Sequence, residues 1–294
     1  MNSKKTLKEL MKQDGIIVAP GCFDVLTARI VESLGFPALY YGGYANGSST
    51  GITEPLTTMT EMLNDASNIA NRCNLPLIVD GDAGWGDATH TWRTVKEFIR
   101  GGISAIHIED QWYPKRAHYH IDVTYVMPRE EALAKLRAAI KARGDSDFLI
   151  IARTDAREAV KGSLEEAIER GNLYAEAGAD LIMPYTTTPP DPKEAALMVK
   201  EIKAPLLYIS SEGMNRPKLN VREIEQMGYK IVIFNITATF ITVKAINDVF
   251  TTLKNTGQTG LSYEDMLPYR QLTDKLSGLP ELISIEKDYG MEKI

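Results

Sequence analysis

The chain has 294 residues, 44% of them hydrophobic and 24% charged, an ordinary globular make-up that is long enough to bury its own core. Lys and Arg number 33 against 39 Asp and Glu, a net charge of −6 with no basic run, so no nucleic-acid or anionic-membrane partner is expected. Two cysteines in unrelated contexts, Cys22 and Cys73, exclude a disulfide framework and a CxxC motif and point to a reducing, cytoplasmic setting.

Residues 1–13 read as a Lys-rich helix rather than a charged head before an apolar core, and no stretch reaches the ~18 apolar residues of a spanning helix. Apolar, strand-like runs then recur at residues 16–19, 38–41, 77–79, 105–108, 149–152, 181–183, 206–209 and 231–234. Unbroken Val/Ile/Leu runs are how buried parallel strands read. Between them lie helix-period segments at 25–34, 59–72, 91–101, 130–143, 164–177, 192–202 and 222–227. Breaks such as Leu34-Gly35 and Met227-Gly228 supply glycines that can close a helix in the left-handed conformation. The alternation predicts an α/β fold, a (β/α)8 TIM barrel forming one domain over 1–294. Residues 186–192 are Pro-rich and read as loop. After the eighth run come a helix at 242–256, a polar turn at 255–260 and an amphipathic tail at 261–294. The tail is too short to fold alone, and residues 242–294 are expected to pack on a neighbouring surface, within the chain or on another subunit.

Three of the runs end on acid or base: Leu77-Ile-Val-Asp-Gly-Asp82, Ala105-Ile-His-Ile-Glu-Asp110 and Leu149-Ile-Ile-Ala-Arg-Thr-Asp155. Barrel enzymes gather catalytic groups at the C-terminal ends of their strands. Asp80 and Asp82, at i and i+2, leave the strand on one face, and Glu109 arrives from the next strand. Three hard oxygen donors favour Mg²⁺ or Mn²⁺. The plainer alternative is a Gly-rich turn whose aspartates cap the next helix. Arg153 is a buried cation that needs a partner. It meets either an anionic substrate, which its planar fork suits, or Asp155 or Glu109 in a structural ion pair.

The stretch Gln111-Trp-Tyr-Pro-Lys-Arg-Ala-His-Tyr-His120 has the composition of a lid. His118 and His120 are candidate proton donors or acceptors, or else exposed loop residues. Zinc is not expected, since no third nitrogen or sulfur donor lies nearby. In Tyr40-Tyr-Gly-Gly-Tyr-Ala-Asn46, backbone N–H groups of a Gly-Gly turn can hold a carboxylate or oxyanion, unless the glycines merely serve a tight turn.

These pieces, in this order, resemble the isocitrate lyase/phosphoenolpyruvate mutase superfamily through nearly the whole chain. The resemblance rests on Pro20-Gly-Cys-Phe-Asp24 with Ala28, Val79-Asp-Gly-Asp-Ala-Gly-Trp-Gly86, Ile108-Glu-Asp-Gln111 with Pro114-Lys115, and Ile151-Ala-Arg-Thr-Asp-Ala156. It implies an Mg²⁺-dependent barrel acting on 2-oxo or 2-hydroxy acids, cleaving C–C bonds or cleaving and rearranging P–C bonds beside a carboxylate. Asp80, Asp82 and Glu109 then match metal-shell acids and Arg153 the substrate-anion arginine. Gly42, Gly43 and Tyr44 match the turn that receives substrate oxygens by backbone N–H, and Tyr41 beside them is a further candidate for substrate binding. It also implies a homotetramer built from dimers that exchange their last barrel helix.

The departures are specific. Lys115-Arg-Ala-His-Tyr119 puts Ala117 where the superfamily's C–C lyases carry an acid cysteine, and the mutase K-T-N-S string is missing too. Tyr185 falls where lyases place Glu and mutases His, and Ile209 where lyases place Asn, whereas Glu212-Gly213 and Pro217 fit the lyase pattern. The expected activity is an Mg²⁺-dependent lyase acting through an enolate, with His118, Tyr119, His120 or water as the acid and Tyr185 and Glu212 at the substrate. Phosphonate chemistry (a mutase or phosphonopyruvate-type hydrolase), an oxaloacetate-type decarboxylase and a non-catalytic binding barrel are the alternatives.

Overall fold

The computed structural model describes residues 5–117, 123–185, 191–213 and 219–291. Eight parallel strands follow chain order: β1 (Ile17–Cys22), β2 (Leu39–Tyr41), β3 (Leu77–Asp80), β4 (Ala105–Glu109), β5 (Leu149–Thr154), β6 (Leu181–Pro184), β7 (Leu207–Ser210) and β8 (Ile231–Phe234). β8 pairs back onto β1, and a parallel bridge between Ile182 and Leu206 closes the ring between β6 and β7. The (β/α)8 barrel predicted from the alternating pattern is therefore the observed fold. β5 continues past its predicted end, which makes Arg153 a strand residue paired in register with Glu109 of β4.

The helices are α1 (Leu7–Met11), α2 (Val25–Ser33), α3 (Gly43–Thr50), α4 (Met59–Ala70), α5 (Ala88–Arg100), α6 (Arg129–Arg143), α7 (Leu164–Glu176), α8 (Pro192–Glu201), α9 (Val221–Met227) and α10 (Thr237–Thr256), followed by α11 (Tyr263–Leu276) and α12 (Leu279–Asp288). Local chemistry explains where several begin and end. Asp24, Thr58 and Asn220 cap α2, α4 and α9 through capping boxes, and Gly228 closes α9 at φ +100°. No helix among the described residues is long and apolar enough to cross a membrane.

Side chains on each strand alternate between two cores. Val79, Ile106, Ile108 and Ile150 face outward and pack under the helices with Val95, Phe98 and Leu136. Ile78, Ala105, Ile151, Leu181 and Ile231 face inward and fill the bore. Leu7 and Leu10 of α1 join that inner cluster, so the first helix seals the N-terminal end of the barrel. Thr6 and Glu9 close its first turn with a capping box.

Asp110, just past β4, ties the barrel wall to the helix layer. Its buried carboxylate accepts from the Thr154 hydroxyl (2.7 Å), the Asp155 N–H (3.0 Å), the Tyr174 hydroxyl (2.8 Å) and Arg170 Nη1 (3.1 Å). Arg170 in turn bonds Glu166 and the Met127 carbonyl.

The chain divides into two compact units, Met1–Thr239 and Phe240–Ile294, the boundary falling inside α10. In the second unit α11 and α12 pack on one another. Val243, Ile246 and Phe250 of α10, at i, i+3 and i+7, are each at least half exposed.

Replacing Asp110 by Ala leaves Arg170 and Tyr174 buried without their acceptor. The expected loss of stability is ~3–5 kcal/mol, the scale of breaking a buried ion pair from one side. Urea unfolding followed by circular dichroism checks it.

Candidate active site

The inward-facing positions of β3 to β6 change character at their C-terminal ends. Ile78 is followed by Asp80, Ala105 by His107 and Glu109, Ile151 by Arg153, and Met183 by Tyr185. The alternation that fills the bore with aliphatic side chains thus delivers charged ones to the same mouth. Glu109 and Arg153 are only 2% and 3% exposed.

A chain of ion pairs crosses this mouth. Lys115 Nζ lies 2.6 Å from Glu54 Oε1 and 3.1 Å from Glu109 Oε1, and Arg153 Nη1 lies 3.1 Å from Glu109 Oε2. Arg153 also donates through Nε and Nη2 to the two oxygens of Asp155, at 2.9 and 2.8 Å. Its guanidinium carbon sits 3.9 Å from the centre of the Tyr185 ring. Two carboxylates and an aromatic face therefore fix the plane of the fork. The structural ion pair considered for Arg153 is real, and it involves both acids.

Asp80 is held by backbone donors. Gly43 N–H reaches its Oδ2 at 3.1 Å and Asp82 N–H its Oδ1 at 2.8 Å. His107 Nδ1 stands 3.7 Å from Oδ1, and its Nε2 is hydrogen-bonded to the Tyr40 hydroxyl at 2.9 Å. Burial keeps His107 below the ordinary imidazole pKa against the pull of Asp80, and burial, reinforced by Asp80, keeps Tyr40 protonated.

The 81–86 loop is shaped by close packing. A Cβ on Gly81 would lie 2.6 Å from the His107 carbonyl oxygen and 2.5 Å from Ile106 Cγ1, so only glycine lets β3 and β4 approach here. Asp82 takes φ +47°, a conformation that aspartate tolerates better than most residues. Trp85 Nε1 donates to the Thr57 carbonyl at 3.0 Å and pins the far end of the loop.

Two expectations need correction. The Gly-Gly turn is the start of a helix: Gly42 is the N-cap and Gly43 the first residue of α3, and the Gly43 N–H is taken by Asp80. The Tyr41 side chain leaves the barrel on the outer side, where its hydroxyl accepts from Asn46 at 2.6 Å and donates to Asp65 at 3.3 Å; the inward tyrosine is Tyr40. Asp80, Asp82 and Glu109 all stand buried at the mouth; among the described residues no group of three or more His, Cys, Asp or Glu is preassembled around a metal position.

Of the remaining site residues, Tyr44 is in the first turn of α3 and partly exposed, and Tyr185 stands at the mouth. Glu212 is exposed and accepts from the Thr237 hydroxyl at 2.5 Å. His118, Tyr119 and His120 lie outside the described residues; Ala117, the last lid residue before them, is exposed. Glu54 had no signal in the sequence. It sits on a short 3-10 turn, Glu54–Leu56, packed against Gly43, and its carboxylate meets Lys115.

Five buried carboxylates (Glu54, Asp80, Asp82, Glu109 and Asp155) thus share the mouth with two buried cations, Lys115 and Arg153. The excess shows in the acids. Burial pushes Asp82 up to about 7, Glu109 adding to it and Lys115 opposing. Burial likewise raises Asp155 despite Arg153. Each oxygen of Glu109 faces one cation at 3.1 Å and takes no further hydrogen bond among the described residues.

Gly81→Ala forces β3 and β4 apart beneath these acids and is expected to cost ~1–3 kcal/mol, as overpacking does. Chemical denaturation of the variant beside the parent protein measures it.

Comparison with known proteins agrees with this architecture. The family model described as phosphoenolpyruvate phosphomutase matches residues 7–254. The chain is 36% identical over 293 residues to 2,3-dimethylmalate lyase of Eubacterium barkeri, covering 99% of each. Among solved structures, oxaloacetate acetylhydrolase in complex with the inhibitor 3,3-difluorooxalacetate superposes with a TM-score of 0.89 at 32% identity, over 99% of this chain and 98% of that one. Phosphonopyruvate hydrolase in complex with oxalate and Mg²⁺ gives 0.83 at 26%, over 98% and 99%. Barrel, strand-end acids and full-length likeness together show that the chain belongs to the phosphoenolpyruvate phosphomutase family, within the PEP mutase/isocitrate lyase superfamily.

Proposed function

We propose that the chain is a divalent-cation-dependent lyase that cleaves a C–C bond of a small 2-hydroxy or 2-oxo dicarboxylic acid through an enolate. The observation that carries the reading is the fixed guanidinium of Arg153, in the same bore as a surplus of carboxylates. One end of the mouth suits a substrate carboxylate and the other suits a cation. Full-length likeness to a lyase acting on a substituted malate supports the C–C assignment.

The acids fit a hard dication by charge and by chemistry. Each Glu109 oxygen meets a single cation and no other donor among the described residues, and the mouth as a whole is under-neutralised, with five buried carboxylates against Lys115 and Arg153. Mg²⁺ commonly keeps several waters and takes only one or two protein carboxylates, so a three-donor cage is not required. Asp80, Asp82 and Glu109 would hold Mg²⁺ or Mn²⁺. When bound, such an ion supplies positive charge where the enolate oxygen develops.

The chain's own residues do the rest. Arg153, held by Asp155, Glu109 and Tyr185, anchors the substrate anion and sets its orientation. The positive end of α3 points its first turn at the mouth through Gly43. As the C–C bond of a 2-hydroxy acid breaks, the hydroxyl becomes a carbonyl and gives its proton to a carboxylate of the mouth, while the bond's electron pair passes to the enolate, which must then gain a proton at carbon. Ala117 has none to give, so the donor is His118, Tyr119, His120 or a water held by the lid. A homotetramer in the cytoplasm completes the reading, supported by the exposed Val243, Ile246 and Phe250 face of α10 and by two buried free cysteines.

Incubation with small hydroxydicarboxylates, with lactate dehydrogenase reporting any 2-oxo acid formed, tests the function. Product from phosphonopyruvate, seen by phosphorus NMR, would assign P–C chemistry instead, and silence in both assays would leave a binding protein. Asp80→Ala is expected to lower kcat/KM by roughly 10²–10³-fold and to abolish the response to Mg²⁺; full turnover in metal-free buffer sinks the assignment. His118→Ala and His120→Ala are expected to reduce kcat by roughly 10²-fold or more with KM little changed in whichever supplies the proton. Unaltered kcat in both rules out a histidine acid.

A further inference from the structure

Helix α6 turns Ala132, Lys135, Leu136 and Ala139 inward, the i, i+3, i+4, i+7 stripe that a barrel helix uses to bury its apolar face. Lys135 breaks that stripe. It is only 4% exposed, and no hydrogen bond or ion pair to it is found among the described residues. A buried cation left unpaired costs several kcal/mol, so its position calls for a physical account.

The surroundings give one. Lys135 lines a cavity of about 20 Å³, room for a single water, whose walls include Glu109, Asp110, Arg153 and Tyr174. The cavity lies against β4 and β5, behind the mouth described above. Burial lowers the affinity of the amine for its proton, and four carboxylates oppose this, Asp82 and Glu109 foremost. Those two outweigh Glu131, which sits one turn away on the same helix. Lys135 thus shares a cavity wall with Glu109 and lies within the field of the mouth acids.

Lys135 also completes the charge count. With Lys115 and Arg153 it makes three buried cations against the five buried carboxylates, and the surplus falls to two negative charges, the complement of one dication. We propose that Lys135 is a positioning residue whose charge, placed behind the sheet, sets how tightly the acids of the mouth hold a divalent cation. It touches neither substrate nor ion; it acts through Asp82 and Glu109. This rests on the dication reading of the site given above.

Mn²⁺ binding to the intact protein at pH 8, followed by electron paramagnetic resonance of the free ion, tests the proposal without reference to turnover. Lys135→Met is expected to bind Mn²⁺ roughly tenfold more tightly than the parent, the scale of one charge removed at short range from a partly shielded site. Lys135→Gln, polar but uncharged, is expected to do the same, and Lys135→Arg to return the affinity to the parental value. Because Met replaces an unpaired buried charge, its unfolding midpoint in urea should not fall. Parental affinity in both uncharged variants, or tightening in Lys135→Arg as well, overturns the role of Lys135 alone. A parent protein that takes up no Mn²⁺ overturns the dication reading and this inference with it.

Discussion

Uncompensated negative charge, buried where the strands end, is the constraint around which the barrel mouth is organised. Carboxylates out of water are costly unless paired, and here the available cations do not balance them. The structure spreads the burden. Backbone N–H groups of Gly43 and Asp82 serve Asp80, Lys115 bridges Glu54 and Glu109, and Arg153 bridges Glu109 and Asp155. The glycine of the Asp-Gly-Asp segment is fixed by the same need, because β3 and β4 must nearly touch to bring their acids together. A fold under no such demand has no reason to concentrate charge in its driest region.

The barrel is well suited to carry that cost. Its aliphatic bore and its outer helix layer form two separate cores, and each strand contributes to both by simple alternation. Neighbouring residues therefore take unrelated work. Glu109 points into the mouth while Asp110 points out to Arg170 and Tyr174. Thr154 braces Asp110 on one side of β5 as Arg153 reaches into the bore on the other. Architecture and chemistry thus share a few residues of backbone without sharing side chains.

Much of this was legible in the sequence because parallel strands announce themselves. Runs such as Leu149-Ile-Ile-Ala152 leave little doubt of burial, and an acid or base directly after one must face either bore or helix layer. That placed Asp80, Glu109 and Arg153 at the mouth. The same alternation separates Tyr40 from Tyr41, but only once the register with Ile78 and Val79 is known. Helix α3 escaped notice since Gly-Tyr-Ala-Asn-Gly-Ser-Ser-Thr is a poor helix former. Tertiary contacts make it: Asn46 is gripped by Tyr41 and Asp65, and Gly47 packs so closely that a Cβ would meet the Ile52 carbonyl oxygen at 2.5 Å. Glu54 and Lys135 were hidden for a related reason. An acid in a short turn and a lysine in a charged helix look like surface residues until their neighbours are in place.

The helix at the N-terminal end has a consequence for traffic. With aliphatic side chains filling the bore and Leu7 and Leu10 packed beneath them, the barrel is a blind well rather than a tunnel. Reactant, product and every displaced water must use one doorway in turn. Whatever covers that doorway therefore sets both how long a reactive species is sheltered and how soon the next molecule can enter.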